Sequence, residues 1–164
     1  MPEASIKKEI PCSKDKLINI VLDIEKYPEF IPWCRDSKIY SYNDKGDKIE
    51  ITADLTIGKS FFNETYKSFV VYDKSLDSIQ VTNHDGPLKY LKNKWIFTQK
   101  GRNSEVDFYI DFELKNKILN LFMVKSFDLG LKKIADAFEK RALKLFNKIK
   151  NLLSILNKKK PLIY

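Results

Sequence analysis

Beyond Ile49 the spacing of apolar residues changes once, and that change restricts what the chain can fold into. Between Ile49 and Leu114 the period is two. Ile49, Ile51, Ala53, Leu55 and Ile57 alternate with Glu50, Thr52, Asp54 and Thr56. Further on, Val106, Phe108, Ile110, Phe112 and Leu114 alternate with Glu105, Asp107, Tyr109, Asp111 and Glu113. Successive side chains of a strand point to opposite faces, so these are antiparallel strands with one apolar side. From Ile118 onward the spacing is three and four: Phe127, Leu131, Ile134, Phe138, Ala142, Leu145, Ile149, Leu152 and Leu156 form one helical stripe. No proline breaks it before Pro161, and the spacing predicts a helix over Ile118–Asn157. A one-sided sheet must bury its apolar face against something, and this helix is the one element long and apolar enough. The predicted fold is therefore α+β, a curved antiparallel sheet of about six or seven strands wrapped around a long C-terminal helix. Such a helix is ~60 Å long at 1.5 Å per residue, whereas a body of this size has a radius of gyration of ~14 Å, so its far end overhangs. Gly130 lies inside the helical stretch and marks either a kink or a place where the sheet approaches closely; the uninterrupted apolar spacing favours close approach.

The chain begins with an alternating strand, Ala4–Ile10, and Ser13 is an N-cap for a short helix whose apolar face is Leu17, Ile20, Val21 and Ile24. Tyr27-Pro28 is expected to end that helix. The segment Tyr27-Pro28-Glu29-Phe30-Ile31-Pro32-Trp33-Cys34 then joins helix to sheet. Each proline disfavours the α region for the residue before it, which predicts extended Tyr27 and Ile31. Joints are normally polar and superficial, so one this aromatic must cover apolar ground, either a core edge or the mouth of a cavity. Turn chemistry between strands is supplied by Asn43–Gly46, Asp73–Asp77, Asp85-Gly86-Pro87 and Lys100–Asn103.

At 164 residues, 43% apolar, the chain is expected to make one domain with a proper core. Met1–Glu9 holds no apolar run and is not read as a signal peptide. No stretch is apolar enough to span a bilayer. Cys12 and Cys34 are too few for a disulfide framework and lack metal-ligand spacing, which predicts reduced thiols and a cytoplasmic protein. The net charge of +8 is uneven: Lys140–Tyr164 carries eight basic residues and no acidic one, leaving 22 of each sign in the remainder. No catalytic constellation stands out. His84 is the single histidine and sits beside a turn, Asp111 and Glu113 lie on the polar face of a strand, and neither cysteine has an activating neighbour in sequence. The expectation is a protein that is not an enzyme and holds no covalently bound cofactor and no metal.

Four blocks, in order, carry a resemblance: YPEFIPWC at Tyr27–Cys34, GPLKYLKNKWIF at Gly86–Phe97, VDFYIDFELKNKILNLF at Val106–Phe122, and AFEKRA at Ala137–Ala142. With them the chain resembles START-like helix-grip proteins of the coenzyme Q-binding family, which includes the bacterial ribosome-association toxins. The resemblance covers roughly Ala4–Ala142 and implies a START-like domain over 1–142 with a tunnel between sheet and helix. It also implies an isoprenoid quinone as ligand, above all ubiquinone, in support of respiration. For the toxins it implies binding to the large ribosomal subunit and a block on subunit association. The basic amphipathic extension over 143–164 departs from that pattern.

The apolar faces supply tunnel candidates. Phe108, Ile110 and Phe112 lie on the concave side of the last strand, Trp95 and Phe97 on a neighbour, and Phe127, Leu131, Ile134 and Phe138 face them from the helix. Glu64 and Tyr66 share a strand face and are placed to meet a quinone headgroup by hydrogen bonding. Pro28, Phe30, Ile31, Pro32 and Trp33 are the candidate gate. A dry core built from these same side chains is the plain alternative. In the extension, Lys144, Phe146, Lys148, Lys150, Lys158, Lys159 and Lys160 belong to a basic amphipathic helix. That pattern suits an anionic membrane surface at the inner membrane face, phosphates of the large ribosomal subunit, or a second copy of the chain.

Overall fold

The computed structural model describes residues 3–59, 62–84 and 86–158, with side chains throughout except at 59, 62, 84, 122, 126, 146–154 and 157–158. The elements run β1 (Glu3–Ile10), α1 (Lys14–Leu22), a 3₁₀ turn (Ile24–Glu29), β2 (Cys34–Asp44), β3 (Lys48–Lys59), β4 (Phe62–Asp73), β5 (Ser78–His84), β6 (Leu88–Lys100), β7 (Asn103–Leu114) and α2 (Lys117–Lys158). The seven strands form one antiparallel sheet in the order β1-β7-β6-β5-β4-β3-β2. Strands β2 to β7 are thus a meander, and β1 returns beside β7 with Ile6 opposite Phe108 and Ile10 opposite Ser104. The sheet curves around α2, which the apolar alternation demanded: Ile49, Ile51, Ala53, Val70, Ile79, Trp95, Phe97, Val106 and Phe108 are all buried on its concave side.

The start of the chain needs one correction. Ser13 caps α1 as expected, its Oγ accepting from the Lys16 N–H at 3.4 Å. The α-helix stops at Leu22, though, and Tyr27 and Pro28 lie inside the 3₁₀ turn. Tyr27 is therefore not extended. Its carbonyl accepts from the N–H groups of Phe30 and Ile31 at 3.1 and 2.8 Å, so the Tyr27–Phe30 stretch is a tight turn with Pro28 at its second position, a place proline's fixed φ suits. Tertiary bonding overrides the preference of the residue before a proline, because the Tyr27 hydroxyl is anchored on the Val21 carbonyl. Trp33 closes the joint with a φ of 67°, in the left-handed region that bulky residues avoid. It is held there by the Gly58 N–H, which donates to the Trp33 carbonyl at 2.8 Å.

Helix α2 is unbroken for 42 residues, and Gly130 explains how it seats. A Cβ there would meet Trp33 Cη2 and Cζ3 at 3.5 Å. The close approach is thus made by the joint's indole and not by the sheet. Because 3.5 Å is ordinary contact, Gly130→Ala should stabilise the protein by about 0.5–1 kcal/mol through helix propensity. Gly130→Leu should destabilise it by about 1–3 kcal/mol by overpacking the indole. Urea unfolding of both variants checks the pair, and a destabilised Gly130→Ala would mean that Trp33 has no room to yield. At the other side of the helix, Lys8 of β1 reaches Asp136 at 2.7 Å and Glu139 at 3.5 Å. Those carboxylates raise the Lys8 ammonium above its ordinary value, and Asp136 is held below its own by Lys8.

Candidate functional site

A pocket of about 350 Å³ opens where α2 begins, lined by Glu64, Thr65, Gly86, Pro87, Leu114, Lys115, Asn116 and Leu119. Three chain reversals build it. Strand β4 brings Glu64 to the rim. The turn between β5 and β6 runs past β4 with Gly86 at a φ of 100°, where a Cβ would meet the Thr65 carbonyl at 3.6 Å and the Tyr66 α-carbon at 3.7 Å. The short link from β7 to α2 is fixed by Asn116, whose Oδ1 accepts from the Ile118 and Leu119 N–H groups at 3.0 and 3.2 Å, an N-cap that turns the chain sharply.

Behind the pocket is an apolar cluster: Leu88, Leu91, Phe112 and Leu114 are buried, and Tyr66, Val81, Ile110, Leu119, Met123 and Phe127 pack against them. Several polar side chains on this part of the concave face are paired. Asn83 donates to the Leu88 carbonyl at 3.2 Å and accepts from the Leu91 N–H at 3.0 Å, taking up backbone groups freed at the register shift between Leu88 and Tyr90. Asn93 donates to the Tyr109 carbonyl and accepts from Trp95 Nε1, both at 2.8 Å. Ser68 donates to the Ala53 carbonyl at 3.3 Å. The Tyr66 hydroxyl has no hydrogen-bond partner among the described residues, and burial pushes its pKa up to about 12. It is therefore a neutral phenol, a donor as well as an acceptor.

Of the residues expected to line a tunnel, Glu64 lines the open pocket, and Tyr66, Phe112, Ile110 and Phe127 belong to the cluster behind it. Trp95, Phe97, Phe108, Leu131, Ile134 and Phe138 are brought together deeper in, but they pack on one another. Trp95 stands edge-on to Phe108 at 4.7 Å and to Phe138 at 5.2 Å. The gap that Trp95, Phe108, Leu131, Ile134 and Phe138 share with Ile6, Ile10 and Leu17 measures about 20 Å³, room for about one water and far below the ~300 Å³ at which ligand pockets begin. The wide internal space expected between sheet and helix is thus filled at its centre by aromatic rings and open at the α2 start. The candidate gate is a clamp. Phe30 and Tyr27 meet Phe138 edge-on at 5.3 and 5.7 Å, Arg141 lies over the Phe30 ring at 5.1 Å, Ile31 packs on the core, Pro32 and Trp33 are half-buried, and Pro28 is exposed. Sequence reasoning missed Gly86, Pro87, Leu114, Lys115, Asn116 and Leu119 as pocket residues. The signal was the coincidence of two pattern breaks, the Gly86-Pro87 turn and the end of alternation at Lys115-Asn116.

In the extension, Lys144 is exposed. The side chains of Phe146, Lys148, Lys150 and Lys158, and Lys159 and Lys160 entirely, lie outside the described residues, as does the side chain of His84. Both thiols are buried. Desolvation raises the pKa of Cys12, and that of Cys34 to about 11, so neither is a ready nucleophile. No group of three metal-ligating side chains occurs among the described residues, and no described helix is long and apolar enough to cross a membrane.

Comparison with known proteins agrees with this fold. Residues 10–139 match the family described as polyketide cyclase/dehydrase and lipid transport. The ribosome association toxin RatA of Rickettsia prowazekii is 33% identical over 138 residues, covering 82% of this chain and 92% of the toxin. The mitochondrial coenzyme Q-binding protein coq10 of Schizosaccharomyces pombe is 30% identical over 111 residues, covering 66% of this chain and 67% of that protein. An 18 kDa protein of Caulobacter crescentus, known from a solution structure, superposes with a TM-score of 0.74 at 31% identity, covering 90% of this chain and 99% of that one. This chain belongs to the polyketide cyclase/dehydrase and lipid transport family, with a START-like fold.

Proposed function

We propose that this protein is a non-enzymatic carrier for an isoprenoid quinone, ubiquinone or a close relative. The ring sits in the pocket at the start of α2, and the protein works in the cytoplasm against the inner membrane face in support of respiration. The observation that carries the reading is the open pocket itself, backed by an apolar cluster against which Tyr66 packs, a phenol with no hydrogen-bond partner among the described residues. Ligand sites of ~300–1,000 Å³ are mostly apolar with a few placed polar groups, and a pocket of about 350 Å³ suits a substituted ring. Tyr66 can donate to a quinone carbonyl or accept from a quinol hydroxyl. Glu64, as a carboxylate, can only accept, so it favours the reduced form. The prenyl chain would enter between Phe112 and Phe127, whose rings now meet at 5.4 Å and must part to admit it. The coq10 relative, named for binding coenzyme Q, adds support.

Mass spectrometry of organic extracts from the purified protein should find a prenylated quinone. Leu119→Trp, which fills the pocket from its wall, should reduce the quinone recovered severalfold. An extract free of quinone, or a full quinone complement in Leu119→Trp, counts against the reading.

A second reading is binding to the large ribosomal subunit with inhibition of translation initiation. It is favoured by the RatA relative and by the acid-free stretch from Lys140 onward. Charge-driven RNA binding loses affinity steeply with salt. Co-sedimentation with the large subunit that salt abolishes, together with growth arrest on expression, would favour this role. The two activities are compatible, since one uses the interior and the other the surface.

A further inference from the structure

Helix α2 has a second stripe that its packing does not use. Ile118, Leu121, Lys125, Leu129 and Lys132 recur at spacings of three and four on the side away from the sheet, opposite the buried stripe through Leu119, Met123, Phe127 and Leu131. The apolar members are open to solvent: Ile118 is 79% exposed, Leu121 64% and Leu129 61%. Lysines surround them. Lys115, Lys117, Lys125, Lys132 and Lys133 are all exposed, and Asp128 is the lone carboxylate between 115 and 133. Among the described residues, Lys115, Lys117, Lys125 and Lys132 make no ion pair. The first turn of α2 also lacks an acidic residue, so the positive end of the helix dipole adds to the lysines instead of being neutralised.

We propose that this outward face, from Ile118 to Lys132, docks the protein on an anionic bilayer surface, with the link at Lys115 and Asn116 that edges the pocket at the same end of α2. Aliphatic side chains flanked by lysines along one face suit a helix lying in the plane of a charged interface. An RNA surface has no use for the exposed aliphatics. A second copy of the same face would set lysine against lysine. The C-terminal extension cannot share this plane in a straight helix. Leu145 and Leu156, both exposed, continue the stripe of Phe138 and Ala142, which faces the sheet side. The purpose of the docking rests on the carrier reading; the docking itself does not.

The test uses the full chain and flotation with vesicles of phosphatidylcholine and phosphatidylglycerol in equal parts. Wild-type protein should float with these and far less with phosphatidylcholine alone. Ile118→Asp with Leu121→Asp should weaken partitioning by about tenfold or more, since two apolar anchors become repelling charges. Both side chains are exposed, so circular dichroism and the thermal midpoint should not change. Lys117→Glu with Lys125→Glu should reproduce the loss. The proposal is overturned if wild type does not float with the anionic vesicles or if the aspartate variant floats as well as wild type. An unchanged flotation with loss of co-sedimentation on the large ribosomal subunit would assign the face to the ribosome. Unchanged flotation with a shift from dimer to monomer would assign it to a second copy. Quinone in organic extracts tests the carrier reading separately, and its absence would leave the vesicle result standing by itself.

Discussion

Phe138→Ala should lower the unfolding free energy by about 3–5 kcal/mol, the range for removing a packed core aromatic ring. Phe138 is 4% exposed and wedged between the joint and β6. Its ring meets Tyr27 and Phe30 of the joint at 5.7 and 5.3 Å and Trp95 of β6 at 5.2 Å, each edge-on. Such pairs contribute roughly 0.5–1.5 kcal/mol each beyond the area they bury. The gap beside them is about 20 Å³, so nothing nearby can relax into the space left behind. Against a typical total of about 5–15 kcal/mol, the loss is a large share of the protein's stability. Urea unfolding should give a lower midpoint at unchanged slope. A loss below about 2 kcal/mol would mean that the centre of the fold is loose enough to collapse or hollow enough to hold a guest, and the packed-centre description would fail.

That residue also marks where sequence reasoning stopped. The seven-stranded sheet, the long helix and their mutual burial were legible, because period two and period 3.6 each state which side chains share a face. Periodicity assigns Phe138, Trp95 and Phe108 to that common interior but says nothing of the distance between the faces. A gap of one ring and a gap of a prenyl chain give the same pattern. The joint was legible as an apolar cover, yet its backbone was not. A local rule about the residue before proline placed Tyr27 in extended conformation, whereas the anchor of its hydroxyl on Val21 is a tertiary fact. The pocket was missed for a related reason. Its lining comes from three reversals distant in sequence, and only the fold brings Glu64, Gly86 and Leu119 to one rim.

The interior therefore divides in two, and the division constrains any ligand. Around Phe138 the rings pack on one another and two of their polar atoms are paired: Trp95 Nε1 donates to Asn93, and the Tyr27 hydroxyl donates to Val21. At the α2 start a pocket edged by Glu64, Leu114, Lys115 and Leu119 opens outward, backed by the apolar cluster against which Tyr66 packs. A ligand gains most where space is already open to it, which is why the α2 start is the proposed headgroup site.

Tyr66→Phe should separate binding from stability as no other substitution here does. The hydroxyl makes no internal hydrogen bond among the described residues, so its removal leaves nothing unpaired and should leave stability unchanged or slightly higher. A ring carbonyl that had accepted from it would lose its donor, and quinone retention should fall about five- to tenfold, as for a neutral hydrogen bond of ~1 kcal/mol. The alkaline limb gives a second readout. Burial raises the folded-state pKa of Tyr66 to about 12, above the usual tyrosine value of about 10. Above that lower value the unfolded chain releases the proton first and is favoured, so wild-type stability should fall as pH rises from there toward the folded value. Tyr66→Phe should fall less steeply, with Tyr27, which burial also raises, accounting for part of what remains. Quantitative extraction and urea midpoints across that range measure both effects. A variant that keeps its quinone and shows the wild-type alkaline slope would remove Tyr66 from the site; one that unfolds more easily at neutral pH would mean the hydroxyl has an internal partner after all.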